Sequence, residues 1–248
     1  MVIRSIMSDI NKLDAVILCG GLGKRLRSVV ADEPKVLARI NARPFLDILI
    51  GHLKRQGISH IVFCTGYKAD QIEGYYREND QGLSFEFSRE DRPLGTGGAL
   101  KNARHFIQSN PFFVFNGDSF CEIDLNAFLD FHKSKLARAS IAISPGAQGS
   151  DFGGITLDDS ARVTGFREKE KETAPRYVNT GIYCFNEDIF SFMPEDEAFS
   201  LEYDFFPGLS GKGFYGFCVS QEFYDIGTPA RYDKAREILG GPGKDALK

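Results

Sequence analysis

Short apolar runs alternate with helical faces through the first half of the chain. Val16-Ile-Leu-Cys19 reads as a strand, and Phe45, Leu46, Leu49, Ile50 and Leu53 share one helical face before Gly57. Ile61-Val-Phe-Cys64 predicts the next strand. The rhythm continues with a weaker helix from Ile72 to Tyr76 and a strand alternating at Leu83, Phe85 and Phe87. A helix carrying Ala99, Leu100, Ala103, Phe106 and Ile107 follows, then a strand at Phe112-Phe-Val-Phe115. Strand-helix-strand crossovers of this kind build a parallel sheet with helices on its faces, so the fold class is α/β with a mostly parallel central sheet.

After a helix from Leu125 to His132 and a strand at Ile141-Ala-Ile143, the pattern turns to short strands, turns and two brief helices, including a strand at Gly181–Phe185. This half reads as an irregular α+β lobe, closed by a helix from Arg231 to Leu239. Gly146 to Ser150 is too short for a flexible linker, and no composition shift marks a boundary. The expectation is one domain over residues 1–248, with a core at about 14–145 and a second lobe at about 146–239. No repeat of fixed period is visible, so no C-terminal β-helix is expected.

Composition narrows the function. The chain has 248 residues, of which 42% are hydrophobic and 26% charged, which is globular material. Lys and Arg total 30 against 34 Asp and Glu, a net charge of −4, which argues against a general grip on nucleic acid or an anionic membrane. No apolar run is long enough to span a bilayer, and the opening residues lack the apolar stretch of a signal peptide, so a cytoplasmic location is expected. Cys19, Cys64, Cys121, Cys184 and Cys218 are scattered and odd in number, which favours neither a disulfide framework nor a zinc site. The 22 Phe residues read as core.

The sharpest local signal is Leu18-Cys19-Gly20-Gly21-Leu22-Gly23-Lys24-Arg25-Leu26, directly after a predicted strand. Glycines let a backbone approach a ligand and present N–H groups to phosphate oxygens. A Walker loop would need Gly at position 18, and the dinucleotide fingerprint would need Gly or Ala in place of Leu26. Lys24, Arg25 and Arg27 in an acidic protein point to a different anion-binding loop. Pro34-Lys35 follows nine to ten residues after Arg25, close enough for the chain to fold back onto the same anion. Pro93-Leu-Gly95-Thr96-Gly97-Gly98 repeats the device of glycines and a hydroxyl before a helix. Two such turns at the carboxyl edge of one sheet could hold a base and ribose between them. Asp118 follows an apolar strand, and Asp225 lies in Tyr224-Asp-Ile-Gly-Thr228-Pro229. Two such carboxylates suit Mg²⁺ completed by substrate phosphates and water. His52, His60, His105 and His132 have no Ser or Cys partner at a recognisable spacing and read as structural.

Taken in order, these segments resemble the sugar-1-phosphate nucleotidyltransferases. That family carries a G-G-x-G-x-R-L loop, P-K, G-T-G or G-G-A, a G-D turn, E-K, N-x-G and a late D-I-G-T-P, and the match runs from Leu18 to Tyr232. Within the family, L-C-G-G-L-G, L-G-T-G-G-A and N-G-D-S-F most resemble guanylyltransferases acting on D-glycero-D-manno-heptose 1-phosphate. The resemblance implies a Rossmann-like core and transfer of a nucleoside monophosphate from GTP to a sugar 1-phosphate, with pyrophosphate released and Mg²⁺ required. It places Leu18, Gly20, Gly21, Gly23 and Lys24 against the nucleotide, and Gly95, Thr96 and Gly97 near base or ribose. Arg25 would hold the triphosphate and Lys35 the reacting phosphates, while Asp118 and Asp225 would bind the metal. Lys169 would grip the sugar phosphate, with Glu168, Asn179, Gly153 and Glu202 in the sugar pocket. Lys24 stands where the family usually has Thr or Ser, Glu170 replaces a Pro, and Asp151-Phe-Gly153-Gly replaces Y-G. The last two departures fall in the acceptor half and bear on which sugar is used.

Alternatives are a mannose 1-phosphate guanylyltransferase, an amino-sugar 1-phosphate uridylyltransferase and an inactive nucleotide-sugar-binding regulator. A dinucleotide oxidoreductase is disfavoured by Leu26 and by Arg43, which stands about where a ribose-binding acid would fall. Assembly into a homo-oligomer is left open.

Overall fold

The computed structural model describes residues 9–146, 154–167 and 177–241. Strand β1 (Asp14–Leu18) is followed by 3₁₀ turns at Lys24–Leu26 and Lys35–Leu37 and by a small hairpin of β2 (Arg39–Ile40) and β3 (Arg43–Pro44). Helix α1 (Phe45–Arg55) begins only then. The first glycine loop therefore opens onto a 3₁₀ turn, a correction to its reading as a strand-to-helix turn. The cause is local: apolar spacing stops at Leu26, and Ser28, the β-branched Val29 and Val30, and Pro34 all disfavour helix.

Helix α1 buries Phe45, Leu46, Leu49, Ile50 and Leu53 as its spacing predicts, and it ends in a glycine-dependent reversal. Gly57 sits at φ 100°, its amide donates to Lys54 O, and Ile58 N reaches Leu53 O, each at 3.0 Å. The chain continues through β4 (His60–Thr65), α2 (Ala69–Glu78), β5 (Ser84–Arg89), α3 (Gly95–Asn102) and β6 (Phe112–Asn116). Helix α3 starts at Gly95 itself, so the glycines form its first turn and do not precede it. Next come β7 (Ser119–Cys121), α4 (Leu125–Ser134), β8 (Ala139–Pro145), β9 (Gly154–Leu157) and β10 (Val163–Arg167). The order closes with β11 (Tyr177–Phe185), β12 (Phe214–Cys218), β13 (Phe223–Asp225) and α5 (Pro229–Leu239).

Nine strands share one mixed sheet in the order β10-β9-β11-β6-β1-β4-β5, with β8 against β11 and β12 against β8. Strands β5, β4, β1 and β6 are mutually parallel, and β11 joins β6 antiparallel. Side chains alternate across the sheet: Ala15, Ile17, Ile61, Phe63, Phe113 and Phe115 enter one core, and Val16, Val62, Cys64, Phe112 and Val114 the other. Both faces are covered, the first by α1, α2, α4 and α5, the second by α3 and the Phe-rich segment from Phe190 to Phe206. This is a Rossmann-like α/β fold in which strands of both halves complete one sheet. The chain runs outward from β1 to β5, then returns to β6 on the other side of β1. That reversal leaves a crevice at the carboxyl ends of β1 and β6, where ligands of such sheets bind. Among the described residues no helix is long and apolar enough to cross a membrane.

Candidate active site

The crevice holds a cavity of about 560 Å³, a size typical of small-molecule sites. It is lined by Leu18 to Arg25, by Lys35 and Asp118, and by Glu90, Pro93, Gly95 and Thr96. Residues from both glycine turns thus meet across one space. Gly23 adopts φ 58°, and a side chain there would press on Lys35 Cβ at 3.2 Å, so its small size brings Lys35 under the loop.

Asp118 follows β6 and Asp225 ends β13. The antiparallel pairing of β7 with β13 sets Asp225 opposite Ser119, and Ile226 N donates to Asp118 O at 3.0 Å. Thr228 caps α5 and Pro229 occupies its first turn, which fixes the segment carrying Asp225. The two carboxylates, distant in sequence, are therefore neighbours. Each is matched with a cation: the Lys35 ammonium donates to Asp118 Oδ2, and Arg231 Nη1 to Asp225 Oδ1 at 3.0 Å. Burial would raise Asp118, but the charge and hydrogen bond of Lys35 outweigh it and hold the carboxyl below its usual range. Burial raises Asp225, aided by the negative charge of Asp118, and the Gly227 amide offsets only part of this. A side chain at Gly227 would meet Asp225 Oδ1 at 2.7 Å and Arg25 Nη2 at 3.5 Å, which places Arg25 beside the acidic pair.

Glu90 was not singled out by sequence reasoning because Arg89-Glu-Asp-Arg92 looks like solvated charge. It follows β5 at the same sheet edge as the loops, and that position was its only signal. The carboxylate lies against two glycines: a side chain at Gly20 or Gly66 would meet its Oε1 at 2.7 or 2.5 Å. Its Oε2 accepts from Leu94 N at 3.1 Å, and burial raises its pKa. Asn116 is a second missed residue: it lines the cavity, yet its Oδ1 is buried without a hydrogen-bond partner among the described residues.

Gly97, Gly98, Asn179 and Glu202 do not line the cavity, whereas Thr96 lines it with its hydroxyl already bonded. The amides of Gly97 and Gly98 donate to Phe199 O at 2.9 and 3.2 Å, so they are satisfied within the protein. The Thr96 hydroxyl donates to Glu202 Oε2 at 2.7 Å and accepts from Leu201 N at 2.8 Å. Asn179 is on β11, its Oδ1 accepting from Gly181 N at 2.7 Å. Gly153, Glu168 and Lys169 lie outside the described residues. His52 and His132 are buried, and His60 pairs with Asp14 at the opposite end of β1, away from the crevice.

The fold and crevice define a nucleotide-binding α/β protein, and residues 14–239 match the nucleotidyl transferase family, to which this chain belongs. It is 39% identical over 228 residues to D-glycero-alpha-D-manno-heptose 1-phosphate guanylyltransferase of Aneurinibacillus thermoaerophilus, covering 92% of this chain and 98% of that protein. It is 32% identical to a mannose-1-phosphate guanylyltransferase of Mycobacterium tuberculosis, covering 94% of this chain and 67% of that one. The crystal structure of HddC from Yersinia pseudotuberculosis complexed with GMP-PN superposes with a TM-score of 0.80 at 35% identity, covering 92% of this chain and 99% of that one.

Proposed function

We propose that this protein transfers a guanylyl group from GTP to D-glycero-D-manno-heptose 1-phosphate. The carrying observation is the charge gathered in one crevice: Lys24, Arg25 and Lys35 line it with Asp118, whose neighbour is Asp225, and the carboxylate of Glu90 lines it against Gly20 and Gly66. A triphosphate suits the cations. The Glu90 carboxylate offers only acceptors, and guanine presents two adjacent donors, its N1–H and exocyclic amine. Adenine presents one donor beside an acceptor, and uracil one donor between two acceptors. The likeness to the guanylyltransferase and to HddC with GMP-PN supports the same base, and the former supports the heptose.

The chemistry requires no general base, because the attacking phosphate oxygen is already ionised. A bond forms between that oxygen and the α-phosphorus, and the α–β phosphoanhydride bond breaks to release pyrophosphate. The obstacle is repulsion between anions, and the remedy is positioning plus fixed positive charge. Arg25 and Lys35 supply that charge from the cavity wall, and Lys169 is assigned the acceptor phosphate. The donor set suits Mg²⁺: two hard carboxylates lie together with no third His, Cys, Asp or Glu clustered there among the described residues. Asp118 and Asp225 would hold it, and when bound it would neutralise charge on the phosphates. Five unpaired cysteines, four of them buried, accord with a cytoplasmic setting.

The test is a matrix of GTP, ATP, CTP, UTP and dTTP against heptose, mannose and glucose 1-phosphates, scored by pyrophosphate with and without Mg²⁺. GTP with the heptose should give the highest kcat/KM, and a clear preference for another pair would overturn the assignment.

A further inference from the structure

A chain of hydrogen bonds leads from the nucleotide side of the crevice to Asn179. Thr96 Oγ1 donates to Glu202 Oε2 at 2.7 Å, and Ser200 Oγ donates to the same oxygen at 2.9 Å. The other carboxylate oxygen, Oε1, accepts from Tyr183 Oη at 3.1 Å, and Tyr183 Oη accepts from Asn179 Nδ2 at 2.8 Å. Tyr183 is fully buried. Burial and the Glu202 charge push its phenol well above the usual range, which keeps it a proton donor toward that carboxylate.

The local backbone is built for this contact. Four residues of regular strand span roughly 13 Å, too far for two side chains on one face to meet easily. Between Asn179 and Tyr183 the register of β11 against β8 shifts, with Gly181 at φ 75°. A side chain at Gly181 would run into Asn116 at 2.7 Å, so the bend is closed by glycine and by no larger residue. The bulge draws Asn179 back onto the Tyr183 hydroxyl, and the Gly181 amide fixes its other end.

We propose that Tyr183 is a positioning residue for the sugar acceptor: with Glu202 as its anchor it locks the Asn179 amide and joins the acceptor half to the Gly95–Gly97 turn. The proposal rests on the assignment of Asn179 to the sugar pocket. Glu202 then works as the shared strut between the two substrate halves, through Thr96 on one side and Tyr183 on the other.

Tyr183→Phe removes one hydroxyl and keeps the ring. Kinetics with the heptose 1-phosphate, calorimetric titration with a non-hydrolysable GTP analogue, and the melting temperature would be measured for this variant, for Asn179→Ala and for the double variant. Loss of the hydrogen bond that holds the Asn179 amide predicts an acceptor KM about tenfold higher in Tyr183→Phe, with nucleotide affinity retained. Asn179→Ala should raise KM at least as much, and the double variant should be no worse than Asn179→Ala alone. Glu202→Gln should weaken nucleotide and acceptor together. A normal acceptor KM in Tyr183→Phe beside a raised one in Asn179→Ala overturns the positioning role. So do multiplying effects in the double variant, or equal losses of nucleotide and acceptor affinity in Tyr183→Phe. An unchanged KM in Asn179→Ala removes the sugar assignment of Asn179 itself, and the proposal with it.

Discussion

Arg25 and Glu90 show how unlike residues can be in legibility while sharing one cavity. Arg25 belongs to a glycine-rich run whose composition advertises anion binding, and it lines the cavity as expected. Arg25→Ala should lower turnover by about 10²- to 10³-fold with an unchanged melting temperature, as for other preorganised electrostatic groups. Steady-state rates beside a thermal melt check this. Glu90 is invisible to such reasoning, because a single acidic residue among Arg89, Asp91 and Arg92 has no local signature. Its role depends on Gly20 and Gly66, distant in sequence, leaving room for its carboxylate. Glu90→Gln replaces one acceptor with a donor, and the preference for GTP over ATP in kcat/KM should fall by about 1–3 kcal/mol, or roughly 5- to 150-fold. An unaltered preference would remove Glu90 from base selection.

At the scale of elements, α3 and β11 carry information that their sequences only partly disclose. The Gly95–Gly98 run reads as a ligand turn, and Gly95 with Thr96 does face the cavity. Gly97 and Gly98 are small for a second reason: a side chain would strike the Phe199 ring from Gly97 and the Glu197 carbonyl from Gly98. Gly98→Ala should therefore destabilise the protein by about 1–3 kcal/mol, seen as a lower denaturation midpoint, because the obstruction is backbone and cannot turn aside. Strand β11 was legible as an apolar run from Gly181. Its bulge was not, since a shift in register depends on the partner strand β8.

For the whole molecule, a partly buried ion pair remote from the crevice sets part of the response to pH. Asp14 pairs with His60 at 2.7 Å and also accepts from the Gln108 and Ser109 amides. Burial would raise the Asp14 carboxyl, but the His60 hydrogen bond and those amides bring it below its usual range, and the bond to Asp14 lifts His60 above its own. Stability from His60 is complete below its unfolded pKa of about 6.5 and is lost as pH rises through the higher folded value. Stability from Asp14 is complete above its unfolded pKa of about 3.9 and is lost as pH falls through the lower folded value. The pair thus helps most between those limits. In His60→Gln the decline in Tm above neutral pH should become shallower, and thermal melts from pH 5 to 9 would reveal it. An unchanged alkaline slope would remove the pair from this role.

By itself the sequence determined the mostly parallel α/β core and the glycine-rich loop that carries Lys24 and Arg25, because these depend on spacings of a few residues that local sterics and burial enforce. The tertiary structure decided how Asp225, already a sequence candidate beside Asp118, is held there, and it alone decided that Glu90 folds over Gly20 and Gly66 and that Thr96, Glu202, Tyr183 and Asn179 join in one line. Those contacts link residues 19 to 107 positions apart, apart from the short link across the β11 bulge, and their geometry follows from strand order and register. A sheet brings together whatever its topology makes adjacent, and a short window of sequence holds no record of which strand will be the neighbour.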